Sequence, residues 1–195
     1  YGRATLGLGD VSGDGLPDIV YSGRAPTHHL FAVDGFGNLL WTAHDASGNL
    51  VSLPTLNGAV TLANFDADAN AEVVIGAALI DHDGTVHWNQ DNAGPGFGTN
   101  ATYYGGISAV ADLDRDGQPE IVSGRDAWRV DWPAAGVPTV SLLWHYAGND
   151  GYPAIADLDL DGSPEVVLVA SGQVVALNGQ SGQLWCGRDP SEAAC

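Results

Sequence analysis

The chain has 195 residues, 24 of them acidic against six arginines and no lysine, which gives a formal net charge of -18. That balance excludes nucleic acid and anionic membrane surfaces as partners, and no apolar run is long enough to form a transmembrane segment. With 45% hydrophobic residues and 27 glycines, the composition is that of a folded, turn-rich chain rather than of a disordered acidic one.

The sequence starts at Tyr1 and contains no methionine, so we expect a piece of a longer or processed protein. Four tandem units follow one another, each with the same landmarks in the same order. In the first, an apolar run from Ala4 to Leu8 leads into the acidic turn GDVSGDGLPDIV from Gly9. A second run, Ile19 to Ser22, is followed by a hairpin, FAVDGFGNLLW, ending at Trp41. The second unit has Ala59 to Ala63, the turn ANFDADANAEVV, Val73 to Ile75, and LIDHDGTVHW ending at Trp88. The third has Ser108 to Ala111, ADLDRDGQPEIV, Ile121 to Ser123, and an irregular proline-bearing connection that ends at Trp144. The fourth has Ala154 to Ala156, ADLDLDGSPEVV, Val166 to Val169, and VALNGQSGQLW ending at Trp185. The turns open at positions 10, 64, 112 and 157, so the spacing is 54, 48 and 45 residues.

The runs are short, rich in Val, Ile and Leu, bounded by Gly, Asn and Asp, and show no 3.6-residue period. Each unit therefore predicts four antiparallel strands, two around the acidic turn and two in the hairpin. An all-β fold of β-propeller-type blades is expected, with blades at 1–50, 51–98, 99–147 and 148–195 in one repeat domain. Four blades make either a small closed propeller or part of a larger or assembled one. A single blade cannot bury both faces, so the recurrent tryptophans are expected to pack between blades.

In each turn, oxygen-bearing groups fall at positions 1, 3, 5 and 9, with the backbone carbonyl of position 7 between them. These are Asp10, Ser12, Asp14, Leu16 and Asp18 in the first turn, and Asn64, Asp66, Asp68, Asn70 and Glu72 in the second. The third has Asp112, Asp114, Asp116, Gln118 and Glu120, and the fourth Asp157, Asp159, Asp161, Ser163 and Glu165. Carboxylates at alternate positions of a tight loop converge on one point, and glycine at position 6 allows the bend that brings the carbonyl inward. Such an all-oxygen cage suits Ca2+ better than Mg2+, and zinc would want nitrogen or sulfur. Up to four calcium ions are expected, one per turn. The second turn departs furthest, with Asn64 opening it and Ala69 in place of glycine. The closing acid at position 9 runs straight into a strand, which excludes a helix-flanked calcium loop.

These turns resemble the FG-GAP or VCBS-type repeats of integrin-α-like β-propellers, which include many secreted bacterial repeat proteins. The resemblance spans essentially the whole chain. It implies calcium between the first two strands of each blade, on one rim, and an extracellular or cell-surface location. LIDHDGTVHW and VALNGQSGQLW also look like strands of quinoprotein-type propellers and of propeller-shaped rhamnogalacturonan lyases.

The expected function is a non-enzymatic module for adhesion, ligand binding or assembly, with protein, carbohydrate or further copies of itself as partners. The alternative is a fragment of a propeller enzyme, such as a polysaccharide lyase or quinoprotein. No nucleophile motif or phosphate loop occurs, and His28, His29, His82, His87 and His145 read as turn or surface residues rather than as a catalytic set. Cys186 and Cys195 are expected to close a local disulfide, and Asn100 opens an N-x-T sequon.

Overall fold

The computed structural model describes residues 5–23, 28–53, 58–66, 68–90, 106–134 and 136–187. Among these, fifteen strands form four antiparallel sheets, each built from consecutive strands. The first sheet contains β1 (Gly7–Gly9), β2 (Asp18–Ser22), β3 (Leu30–Val33) and β4 (Leu39–Thr42). The second contains β5 (Val60–Ala63), β6 (Glu72–Ile75), β7 (Ala78–Ile80) and β8 (Val86–Asn89). The third contains β9 (Ser108–Ala111), β10 (Glu120–Ser123), β11 (Asp126–Asp131) and β12 (Thr139–His145). The fourth contains β13 (Tyr152–Ala156), β14 (Glu165–Ala170) and β15 (Gln173–Asn178).

The sequence expectation of four strands per unit therefore fails in the fourth. After Asn178 the chain turns back on the bond from the Ser181 N–H to Asn178 Oδ1. It rejoins β15 through the Leu177–Leu184 bridge, a bond from the Asn178 N–H to the Gln183 carbonyl and one from the Trp185 N–H to the Ala176 carbonyl. Gly187, the last described residue, takes a positive φ of 87°.

Strand alternation explains how the sheets stack. In β6, Val73 and Ile75 face the first sheet, whereas Val74 faces the third. In β10, Ile121 faces the second sheet and Val122 the fourth. Both faces of the inner two sheets thus pack against a neighbour, which is why every residue of EVVI and of EIVS is buried. Three core clusters result, between sheets one and two, two and three, and three and four. First strands also follow one another, with β1 against β5, β5 against β9, and β9 against β13. Among the described residues no core cluster joins the fourth sheet to the first.

Three of the four tryptophans expected between units, Trp41, Trp88 and Trp144, sit there, and two of them have a specific hydrogen-bond partner, whereas Trp185 joins no inter-sheet core among the described residues. The Trp41 indole N–H of the first sheet donates to the His82 carbonyl in the second sheet's hairpin turn, at 2.7 Å. Trp144 of the third sheet donates likewise to the Gly179 carbonyl in the fourth, at 2.6 Å. Each ring lies on a glycine with positive φ, Gly84 and Gly182, where a Cβ would come within 2.9 Å and 2.6 Å of the indole. Where the third hairpin is long and irregular this clasp changes form. Trp88 instead packs on Trp128, with ring centroids 5.0 Å apart.

Candidate metal centres on one rim

The four acidic turns link the first and second strands of their sheets. They lie at the same edge as the hairpin turns between third and fourth strands, because antiparallel order returns both to that end. Their hydrogen bonding follows from which side chain sits at each position. Asp at position 1 accepts two backbone N–H groups. Asp112 takes those of Asp116 and Gly117, and Asp157 those of Asp161 and Gly162. Asp10 does the same with Gly13 and Gly15. At position 5, Asp14, Asp68, Asp116 and Asp161 each accept the N–H of position 7, fixing an Asx turn.

The bend uses positive φ at positions 4 and 6, seen at Gly13 and Gly15, Arg115 and Gly117, and Leu160 and Gly162. Arg115 and Leu160 hold φ of 66° and 62°, a region side chains other than Gly, Asn and Asp rarely enter.

Position 9 carries the strongest signal. Asp18, Glu72, Glu120 and Glu165 are 1%, 0%, 0% and 2% exposed. Each accepts a bond from the N–H of position 2: Val11, Phe65, Leu113 and Leu158. Asp18 also accepts the Ser12 N–H. The other oxygen of three of them, Asp18 Oδ1, Glu72 Oε1 and Glu120 Oε1, is buried with no hydrogen-bond partner. Burial without a full set of partners disfavours the charged form. Burial raises the Glu120 pKa to about 7, helped by Asp116 and Asp112 and partly offset by the Leu113 N–H. Burial likewise raises Glu72 to about 7, with the charges of Asp66, Asp81 and Asp68 adding to it. Glu165 moves in the same direction, again chiefly through burial.

The ligand atoms converge differently from turn to turn. Carboxylate oxygens of Asp112, Asp114 and Glu120 lie within 4.8 Å of one another, as do those of Asp157, Asp159 and Glu165. These are positions 1, 3 and 9. Asp116 and Asp161, at position 5, stand outside both trios. The first turn forms no such trio among the described residues, since position 3 is Ser12, whose hydroxyl lies 3.5 Å from Asp10 Oδ1. Leu16, Gln118 and Ser163 at position 7 are partly or fully exposed at the rim.

Two residues enter these sites that the sequence reading did not place there: Arg129, left unassigned, and His82, expected to be a turn or surface residue. Arg129 stands opposite Glu120 in the β10–β11 register and pairs with Asp114, with its Nε 3.9 Å from Glu120 Oε1. His82 lies on the second hairpin turn and joins Asp68 and Glu72 in a third converging group. Counting the hairpin register from Glu120 leads to Arg129, whereas from Glu72 it leads to Asp81, the residue before His82. Of the other histidines, His145 Nδ1 lies 2.6 Å from buried Asp126 at the opposite end of the third sheet, and His29 Nδ1 is 2.8 Å from the Val51 carbonyl. His28 has a positive φ of 47°. Cys186 is disulfide-bonded, while Cys195 and Asn100 lie outside the described residues.

No family model matches the chain, and no curated protein matches it. Solved structures do resemble it in fold. The V. cholerae biofilm matrix protein Bap1 superposes with a TM-score of 0.66 at 20% identity, over 93% of this chain and 28% of that one. The exotype rhamnogalacturonan lyase YesX superposes with a TM-score of 0.59 at 15% identity, over 93% of this chain and 40% of the lyase. A Bacillus licheniformis rhamnogalacturonan lyase gives 0.55 at 18% identity, over 93% of this chain and 41% of that one. The chain thus spans less than half the length of each of these structures, and at such identities the likeness is one of fold. No helix among the described residues is long and apolar enough to cross a membrane.

Proposed function

We propose that this chain is a run of four β-propeller blades, residues 1–50, 51–98, 99–147 and 148–195, in the manner of FG-GAP or VCBS repeats, with calcium held at the first, third and fourth acidic turns. It serves as an extracellular module that binds carbohydrate or matrix protein and assembles with further blades or copies of itself. The observation that carries the reading is the closing acid at position 9. A carboxylate that is at most 2% exposed, that spends one oxygen on its own loop and, in three turns, leaves the other without a hydrogen bond, is a group built to face a cation. Oxygen donors only, at the first, third and fourth turns, suit Ca2+, which tolerates irregular cages that Mg2+ does not. When bound, the ion would neutralise the mutual repulsion of the carboxylates and tie the first two strands of a blade together.

The fold likeness to a biofilm matrix protein supports a matrix role, and the acidic rim, bridged by calcium, suits hydroxyl- and carboxylate-bearing polysaccharides. The fold likeness to lyases favours a second reading, a lyase fragment, with the His145–Asp126 pair as its acid–base candidate. That pair joins opposed residues of β11 and β12, and a role in cross-strand tethering accounts for it. Retention of the chain on immobilised acidic polysaccharide, with and without chelator, tests the binding reading. Retention that needs calcium supports it. Release of unsaturated sugar product from rhamnogalacturonan, abolished by His145→Ala, would replace it with the lyase.

A further inference from the structure

The second turn has lost the features that would hold calcium and has gained a nitrogen. Asn64, at the position where Asp112 and Asp157 accept backbone N–H groups, donates instead. Its Nδ2 bonds the Asp68 carbonyl at 2.7 Å and the Asn70 carbonyl at 3.3 Å. The latter is the position-7 carbonyl that a calcium ion would use, so the side chain of position 1 now occupies it. Ala69 replaces the glycine that takes positive φ in the other three turns.

In compensation, His82 reaches in from the neighbouring hairpin. Its Nδ1 lies 3.6 Å from Asp68 Oδ2 and 2.7 Å from Asp81 Oδ1, the latter without hydrogen-bond alignment. Ligand atoms of Asp68, Glu72 and His82 all lie within 4.8 Å of one another. Glu72 is 0% exposed, and its Oε1 has no hydrogen-bond partner. Asp81 is pinned by the His82 N–H and by His87 Nε2 at 3.0 Å, and His87 in turn rests edge-on against Trp132 at 5.1 Å. Hydrogen bonds of this kind to a side chain beside the ligands hold the ligating groups in place.

A cleft of about 410 Å3, lined by Asp66, Asp68, Asp81, Trp132, Pro133 and Gly136 among others, opens beside the group. It gives an ion an entry path and room for a further ligand from solvent or from a bound molecule.

We propose that the second turn is a transition-metal site, holding Zn2+ through Asp68, Glu72 and His82, and not a calcium site. Imidazole is a poor ligand for Ca2+ and a preferred one for Zn2+, and one nitrogen with two carboxylate oxygens leaves the fourth position of a tetrahedral ion open to the cleft. The inference stands apart from the calcium reading of the other turns, because it uses none of their residues.

The test is calorimetric titration of the untagged chain with zinc chloride in saturating calcium. One zinc equivalent per chain is expected, weakened about tenfold or more by His82→Gln. The same substitution should abolish the visible absorption of Co2+ bound in place of zinc. His82 has a partly exposed side chain on a turn, so the variant tests ligation without disturbing the core; Glu72→Gln, if it folds, should behave alike. Absence of zinc binding, zinc binding unchanged by His82→Gln, or zinc binding removed by Asp112→Asn together with Asp157→Asn would each overturn the proposal. Zinc binding in a chain that takes up no calcium would instead leave it standing and remove the calcium reading.

Discussion

At position 1 of the turn, an aspartate gathers backbone N–H groups and keeps the loop open toward a cation, whereas Asn64 donates to the loop's own carbonyls and closes it. The identity of that residue was visible in the sequence, as was the alternate spacing of the acids. The direction of the Asn64 bonds was not, because an amide offers both a donor and an acceptor and only the folded loop chooses between them. Arg129 and His82 were hidden for another reason: they lie beyond the acidic turn, on the strand and hairpin turn that follow it, and only the folding of that hairpin brings them to the acids. Asp112→Asn or Asp157→Asn should each remove one calcium from its own turn, lowering affinity there about tenfold or more, readable by calorimetry. Arg129→Gln should tighten calcium at the third turn, since the guanidinium competes with the ion for Asp114.

The closing acids also set a pH dependence. Glu72 and Glu120 titrate at about 7 in the folded, metal-free chain, above their ordinary value of 4.5. The fold therefore favours their protonated form. The resulting stability is fully present below the ordinary value and is lost as pH rises through about 7. Thermal unfolding of the metal-free protein should occur at a lower temperature above about pH 7 than below about pH 5. Added calcium, which at the third turn binds only with Glu120 ionised, should stabilise most at the higher pH.

At the scale of the element, the short strands and the turn order of each unit were legible because period and punctuation agree locally. The fourth sheet's missing strand was not legible. VALNGQSGQLW matches the other hairpins, but among the described residues its return segment forms an isolated Leu177–Leu184 bridge rather than a strand. Position 2 of the turn gives a controlled comparison of the inter-sheet packing. Val11, Phe65 and Leu113 are all buried against the next sheet, at 1%, 2% and 1% exposure. Leu158, at the same place in the fourth turn, is 46% exposed. Leu113→Ala should cost about 2 to 5 kcal/mol in denaturant unfolding, whereas Leu158→Ala should stay within about 0.5 kcal/mol. An equal cost at both positions would mean that the outer face of the fourth sheet is covered in solution.

At the scale of the molecule, the three cores form a linear series, and the two outermost faces carry much of the exposed apolar surface. Leu6, Leu8 and Leu39 belong to the first repeat, and Leu158, Val169 and Val174 to the fourth. Single sheets stacked in this way need a neighbour on each face, so the end faces are the natural places for further blades or copies to add. The net charge of -18 opposes that addition until cations are bound. Sedimentation of the chain should therefore show association that increases with calcium, and a monodisperse monomer in calcium would exclude self-stacking. The repeat pattern made the stacked sheets foreseeable, but no local signal in a repeat says how many copies complete the array.

The most direct measurement is calcium titration calorimetry on the intact chain and on the Asp112→Asn, Asp157→Asn double variant. Calcium should bind at both the third and fourth turns of the wild-type chain, and both binding events should vanish in the variant while the fold persists. Absence of calcium binding to the wild-type chain, or binding that survives the double substitution, would contradict the reading of these turns as calcium sites.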